Sequence, residues 1–419
     1  MTRFLTLVGI CVSLGMNAQW TTYDMSNSAI SSNGTQRVVV DPSNGDILVG
    51  TIAGFNVKSS SGWALHTVAS GALGHNTAVI SMRDGGNLWV TTDGGGVSRY
   101  NGTSWTIFNP ANSGISDTRI YNIGKAPSGI IWFGTRDGGL CSYNGSAWNT
   151  ISVSNNLSVN YDRVMGMDID ASGVIWIGTA GGGLAKYNPT SNQWAQYSTS
   201  NSTILHNDVY TVSIAPDGKI WAGTFAGLSI FDPVSSTFVA HLSSSNSIMP
   251  DNYIRGIDFD NLGRGYVAMG YGGVARVETN YTLGMLWTSS NSNLPSDTCW
   301  HLSYGNGTVW VATLNEGIAS LGIDVGVNET TVSTFDLNLF PNPTSDHNVT
   351  LKIVAAEMQT AVISMYSETG ELVWTTSAEL QADIESRIVI PVADKAAGMY
   401  FVEVVDGQGL KKTLKVIHQ

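Results

Sequence analysis

Arg136 and Asp137 are adjacent in this sequence, and Asp93 occupies a matching place about one repeat earlier. Carboxylates gathered in this way could act as the acid and the base of glycan hydrolysis or elimination. Other residues of suitable type recur at related places. Asn76, Arg119, Arg163, Asp208, Tyr253 and Asp297 form one set, and Tyr121, Tyr210 and Arg255 lie two residues further on. Phe225, Tyr271 and Glu316 join Asp93, Arg136 and Asp137 in a third. Such a mixture suits recognition better than bond breaking, because rings stack on sugar faces while the polar groups meet hydroxyls or a peptide. The sequence holds no serine nucleophile elbow, no His–Glu pair at helical metal-binding spacing and no phosphate-binding loop. Gly94-Gly95-Gly96 and Gly181-Gly182-Gly183 are turns with no helix behind them to cradle phosphate. Asp168-Ile169-Asp170 and Asp258-Phe259-Asp260 alternate along strands and lack the dense oxygen set of a calcium loop. The expectation is therefore a binding role with no catalytic residue, metal or cofactor. A glycan hydrolase or lyase built on Arg136, Asp137 and Asp93 is the alternative, and a sensory or scaffold subunit acting with a partner is the third reading.

These residues share places because the chain repeats itself. IWIGTAGGGLAKYN, from Ile175, returns as LWVTTDGGGVSRYN from Leu88, IWFGTRDGGLCSYN from Ile131 and IWAGTFAGLSIFD from Ile220. The place of Trp176 is taken by Leu48, Trp89, Trp132, Trp221, Tyr266 and Trp310, about 41 to 45 residues apart, which is the length of a propeller blade. Glycine-rich, β-branched, alternating segments exclude helical repeats. In the fifth copy the pattern predicts strands at 209–214, 220–224 and 228–231 and a fourth around Phe238. Trp63, Trp105, Trp148 and Trp194, with Trp287 in the sixth copy, open most fourth strands and are expected to fill the wedge between sheets. The seventh copy lacks such a strand, while WTTYDMSNSAISSN from Trp20 matches WAQYSTSNSTILHN from Trp194. Residues 20–24 should therefore complete the last sheet. The expected fold is all-β: a seven-bladed β-propeller closed by its N-terminal strand, followed by a small Ig-like β-sandwich.

The repeating unit I-W-I-G-T-x-x-G-G-L-x-x-Y-[ND], preceded by D-x-x-G or P-[DS]-G, resembles the two-component regulator propeller repeat over about residues 36–323. In that family the repeat belongs to sensory domains of bacterial hybrid histidine kinases, often associated with glycan sensing. This sequence has one ring's worth of copies, no transmembrane helix and no kinase.

The flanks and the bulk composition bound the rest. Arg3 and the apolar run 4–14, shorter than the roughly 20 residues of a membrane helix, read as an export signal cleaved after Ala18. The expected division is 1–18 signal peptide, 19–325 propeller, 326–334 linker and 335–419 tail. Charged residues make up 12% of the chain, about half the usual share. A net charge of −12 without any Lys/Arg stripe argues against nucleic-acid or anionic-membrane partners. Cys141 and Cys299 fall in copies three and seven and are expected to stay unpaired. In the tail, Phe340-Pro341-Asn342-Pro343, the run from Ser367 through Glu368-Thr369-Gly370 to Val373, Ala397-Gly398-Met399-Tyr400-Phe401-Val402 and a Lys-rich last strand resemble the C-terminal sorting domain of type IX secretion, type A. That resemblance implies a Bacteroidetes-type bacterium and passage across the outer membrane, with the type IX machinery as partner through residues 335–419. It also implies a product released or held at the cell surface. The function expected of the whole is an exported, non-catalytic propeller that binds a glycan or an extracellular protein on its channel face.

Overall fold

A computed structural model describes residues 20–158, 162–323, 335–342, 344, 348–355, 359–367, 372–382, 384–405 and 411–418. The expected signal peptide, the linker and the turns at Glu368-Thr369-Gly370 and Asp406-Gly407 lie outside them. Every regular element among the described residues is a strand. The chain divides into two compact units, one ending at residue 323 and one beginning after it.

The first unit consists of seven four-stranded antiparallel sheets. Six are continuous in sequence, beginning at Thr35, Ala78, Ile120, Val164, Val209 and Ile254. In the fifth, the strands are Val209–Ile214, Ile220–Thr224, Gly227–Asp232 and Thr237–Leu242. The seventh takes three strands from residues 299–322 and its fourth, Thr21–Tyr23, from the other end of the chain. Thr21 pairs with Ser320 and Tyr23 with Ile318. The first strand of each sheet packs against the first strand of the next, and that of the seventh against that of the first, so these strands form a closed circuit.

The repeated Gly-Thr has a local cause. Thr51, Thr92, Thr135, Thr179, Thr224 and Thr313 end their second strands and donate Oγ1–H to the carbonyl of the glycine opening the third strand, at 2.7–3.0 Å. That glycine has a left-handed backbone, with φ of 81° at Gly183, where a Cβ would meet the Tyr197 carbonyl oxygen at 2.1 Å. Gly178, just before the threonine, serves packing instead: a Cβ there would lie 2.4 Å from the Val209 carbonyl oxygen of the neighbouring sheet. Gly178→Ala is expected to lower stability by about 1–3 kcal/mol, measured by urea unfolding, because the two inner strands must separate.

The wedge between sheets is filled differently from expectation. The second-strand residues Leu48, Trp89, Trp132, Trp176, Trp221, Tyr266 and Trp310 are all at least nine-tenths buried. The fourth-strand tryptophans Trp63, Trp105, Trp148 and Trp194 are only half-buried. The fourth strand is outermost in its sheet, so the rings of Trp105, Trp148 and Trp194 cover third-strand tyrosines, with centroids 4.5 Å apart for Tyr187–Trp194 and 4.9 Å for Tyr143–Trp148, while Trp63 meets Tyr23 of the seventh sheet at 6.4 Å. Trp287 does not share their place. It pairs with Val274 as Tyr197 pairs with Leu184, three residues beyond the tryptophan position, and meets Trp20 edge-on at 6.2 Å. Cys141 and Cys299 are buried free thiols in the third and seventh sheets.

The second unit has a three-stranded sheet (Phe335–Phe340, Asn348–Ala355, Glu385–Pro391) and a four-stranded one (Leu372–Leu380, Gln359–Ser367, Gly398–Val405, Lys411–His418). Both supply one core, including Val349, Leu351, Ile353, Ile363, Met365, Val402 and Val404. Asn348–Ala355 buries every second residue, the period-two signature of a sheet with one covered face. Asn342 of the Phe-Pro-Asn-Pro motif explains part of that motif. Its side-chain amide donates to the Lys415 carbonyl at 2.6 Å and its oxygen accepts from the Ile417 N–H at 2.9 Å, fastening the last strand.

Candidate functional site: one end of the strand circuit

Six of the seven first strands skip one residue near their start, giving a β-bulge, and the second skips two. A bulge takes a residue out of the ladder and re-aims its side chain. Tyr121, Tyr210, Arg255 and Trp300 are the bulged residues of sheets three, five, six and seven. They stand where the innermost strands begin, beside the turns that follow the second strands.

The expected site residues separate into two groups. Around sheets three and four the chemistry is ionic. Asp137 takes Arg119 on one carboxylate oxygen and Arg163 Nη2 on the other at 3.2 Å, with Arg136 Nε at 3.9 Å. Its backbone N–H donates to Asp117 Oδ2 at 2.8 Å. Asp93 forms a backbone bridge to Arg119, and burial, reinforced by the Asp93 charge, raises the Tyr121 phenol above its ordinary range. Asp137 is thus a counter-ion held by three guanidinium groups.

Around sheets five to seven the group is aromatic. Tyr253 touches Tyr210 edge-on at 4.6 Å, Phe225 at 5.5 Å and Tyr271 at 6.4 Å. Phe225 and Tyr271 remain 53% and 71% exposed, which makes their rings available to a ligand. The Arg255 guanidinium lies 5.4, 5.2 and 4.7 Å from the ring centres of Tyr210, Tyr253 and Trp300, and its Nη1 donates to the Tyr253 hydroxyl at 2.7 Å. Burial, with Tyr253 and Asp208 adding to it, pushes Tyr210 up to about 12, so the phenol stays protonated as a donor. Asp208 sits on the same rim, its N–H donating to His206 Nδ1 at 2.9 Å, and the His206 ring is 5.6 Å from Phe225.

Three expected residues, Asn76, Asp297 and Glu316, do not join either group. Asp297 is scaffold: its Oδ1 accepts the Ser289 N–H at 2.6 Å. Asn33, Asn76, Asp162, Asn207 and Asn252 accept the N–H eight residues earlier in the same manner. The residue corresponding to Asp208 is therefore Thr298, one place later. Glu316 is exposed on the turn of sheet seven, where its N–H bonds Thr313 Oγ1 at 3.1 Å. Among the described residues, no ion pair links its carboxylate to either group.

Three residues were not anticipated. Trp300 holds the bulge place of sheet seven, a position the repeat alignment alone could have flagged. Arg37 and His301 follow the bulges of sheets one and seven. His301 Nδ1 donates to the Val38 carbonyl at 3.0 Å, and burial, with Arg37 beside it, drives the ring well below its ordinary range. Burial and Arg255 lower the Arg37 guanidinium to about 10, which still leaves it charged at neutral pH. Further along the same strands, Asp168 Oδ2 accepts the Ile214 N–H of the next sheet at 2.8 Å, and Asp258 Oδ2 accepts that of Tyr304 at 2.8 Å. Asp170 and Asp260 cap their own turns, accepting from Ser172 and Val174 and from Leu262 and Arg264. Among the described residues no group of three or more His, Cys, Asp or Glu could hold a metal.

These features define an all-β protein of propeller-like four-stranded sheets with a polar and aromatic mouth. Residues 338–419 match the Secretion system C-terminal sorting domain. The chain therefore carries a type IX secretion tail, and it is a surface or secreted protein. The structure is similar to the extracellular domain of a hybrid two-component system from B. thetaiotaomicron, at 18% identity and a TM-score of 0.63, covering 96% of this chain and 57% of that one. It is also similar to PorZ, described as a surface component of the type-IX secretion system of Porphyromonas gingivalis, at 17% identity and TM-score 0.62, covering 95% and 60%. Virginiamycin B lyase from Staphylococcus aureus, solved with quinupristin, matches at 11% identity and TM-score 0.59 over 73% of this chain and 99% of that one. At such identities the likeness speaks for the fold. The chain spans about three fifths of the first two structures' lengths. No curated protein matches it. No helix among the described residues is long and apolar enough to cross a membrane.

Proposed function

We propose that residues 19–325 form a seven-bladed β-propeller closed by its N-terminal strand, exported behind a signal peptide at 1–18. Residues 326–334 link it to a small Ig-like β-sandwich at 335–419, which directs it through type IX secretion. The ring acts without catalysis. It binds a glycan at its mouth, at the cell surface or after release.

The observation that carries this reading is the aromatic group of sheets five to seven. Phe225 and Tyr271 present exposed rings on either side of Tyr253, next to a guanidinium caged by three rings. Flat apolar faces beside fixed donors are what a pyranose needs, since its C–H face stacks while its hydroxyls hydrogen-bond. The arginines of sheets three and four support the same reading, because Arg119, Arg136 and Arg163 converge on Asp137 and hold it as their counter-ion.

A glycan array probed with the full mature chain tests the proposal. Phe225→Ala combined with Tyr271→Ala is expected to weaken the best hit by about tenfold or more, since both rings are exposed in the free protein and each ring contact contributes on the order of 1 kcal/mol. Undiminished binding by the folded double variant would sink it.

A further inference from the structure

We propose that the mouth contains an anion pocket at sheets six, seven and one, where Arg37 and Arg255 receive the carboxylate of an acidic sugar. This deepens the glycan-binding reading and rests on it. Arg255, Trp300, His301 and Arg37 come from three consecutive sheets, each at or directly after the bulge near the start of its inner strand, and the Arg255 guanidinium lies 4.7 Å from the Trp300 ring centre. Among the described residues, no carboxylate forms an ion pair with Arg37 or Arg255. The Arg37 side chain makes no hydrogen bond or ion pair with any described residue, and the residue is only partly buried. Arg255 meets only rings and a phenol, and its buried Nε has no partner. This contrasts with the three arginines of sheets three and four, which converge on Asp137. Unpaired guanidinium groups at a solvent-reachable mouth are held ready for an anion that arrives with the ligand, and a charge-assisted bond to it is stronger than a neutral one.

The rings beside this charge favour a short acidic sugar: the Arg255 guanidinium lies against Tyr210, Tyr253 and Trp300, and Tyr253 is flanked by the exposed Phe225 and Tyr271. The net charge of −12 repels long polyanions, leaving a chain end or a short oligosaccharide as the better match.

Calorimetry on the full mature chain would compare trigalacturonate, its methyl ester, neutral galactotriose and triglutamate. Trigalacturonate is expected to bind about tenfold or more tightly than the ester and the neutral sugar, the size of one charge-assisted contact. Arg37→Gln should remove that preference and Arg37→Lys should keep part of it, with unfolding curves run to confirm both fold. Equal affinity for acid and ester overturns the pocket without any variant, and leaves the mouth reading standing if the neutral sugar still binds. Binding of none of the sugars overturns both. Triglutamate bound more tightly than the sugar, with the same dependence on Arg37, overturns the assignment to a glycan.

Discussion

Trp20→Ala is expected to destabilise the N-terminal unit by about 3–5 kcal/mol, the usual range for removing a buried tryptophan. Trp20 is 3% exposed although it lies at the very start of the described chain. Its ring packs edge-on against Trp287 at 6.2 Å, and it joins a core of residues from sheets six and seven that includes Tyr266, Leu302, Val309 and Val311. Three residues further on, Tyr23 stacks on Trp310 at 5.4 Å, and the Lys58 ammonium lies 5.4 Å from the Tyr23 ring centre. The strand between them supplies the outer edge of sheet seven and joins positions nearly the whole unit apart in sequence. Loss of its anchor therefore frees an edge as well as a ring, and removes a link that holds the circuit of sheets together. Urea unfolding followed by tryptophan fluorescence measures the effect, with Met25→Ala, at a side chain that is 60% exposed, as the neutral control. A loss below about 1 kcal/mol, the level of an ordinary surface change, would mean that sheet seven stands without its fourth strand and that the closure contributes little.

The pairing of Thr21–Tyr23 with the last sheet was legible because two stretches of the chain carry nearly the same letters, and the strand positions in the fifth copy followed from period-two alternation between turn residues. The mouth was legible only by position. Tyr121, Tyr210 and Arg255 could be picked out because they differ between copies at one place, whereas Trp300 at that same place was hidden among tryptophans with structural work. Arg37 and His301 were invisible for a more physical reason. Thr35 and Val38 are both buried although they are three residues apart, which strict alternation forbids. The bulge at Gln36 makes this possible, and an extra residue reverses the face of everything before it. Asp297 failed through the same kind of one-residue offset. The eight-residue hydrogen bond that it shares with Asn207 and Asn252 fixes its place in the loop, so its carboxylate answers to the turn. Which rim residues would be mutually satisfied, as Asp137 is, depends on side-chain reach between copies, and a repeat alignment carries no information about that.

The buried carboxylates of the inner strands should make stability depend on pH in an unusual direction. Burial raises both Asp168 and Asp258 to about 6, against the combined pull of the N–H groups of Ile214 and Ile169 on one and of Tyr304 and Phe259 on the other. In the unfolded chain both would titrate near 3.8. Between those values the folded protein holds protons that the unfolded chain has released, so their contribution is largest below about pH 4, falls as pH rises through 6 and is flat above. A shift of about two units corresponds to about 3 kcal/mol per group at neutral pH. Other groups act in or near the same window. Asp41 and Asp217 are lowered, so their stabilisation is complete above about pH 4. His66, His241 and His301 are lowered, so they add stability as pH rises toward 6.5 and oppose the two aspartates. The difference between the wild type and the Asp168→Asn, Asp258→Asn double variant removes these shared terms. Asparagine keeps one acceptor for the neighbouring strand's N–H but cannot ionise, so the variant carries a constant offset and no slope from these sites. The stability of the wild type relative to the variant is expected to drop by several kcal/mol between pH 4 and pH 7, at most about 6 for two such groups. Chemical unfolding at a series of pH values reads this directly. A difference that stays level across the window would mean that the inner-strand carboxylates are ionised throughout, held by their amide donors more strongly than burial opposes them.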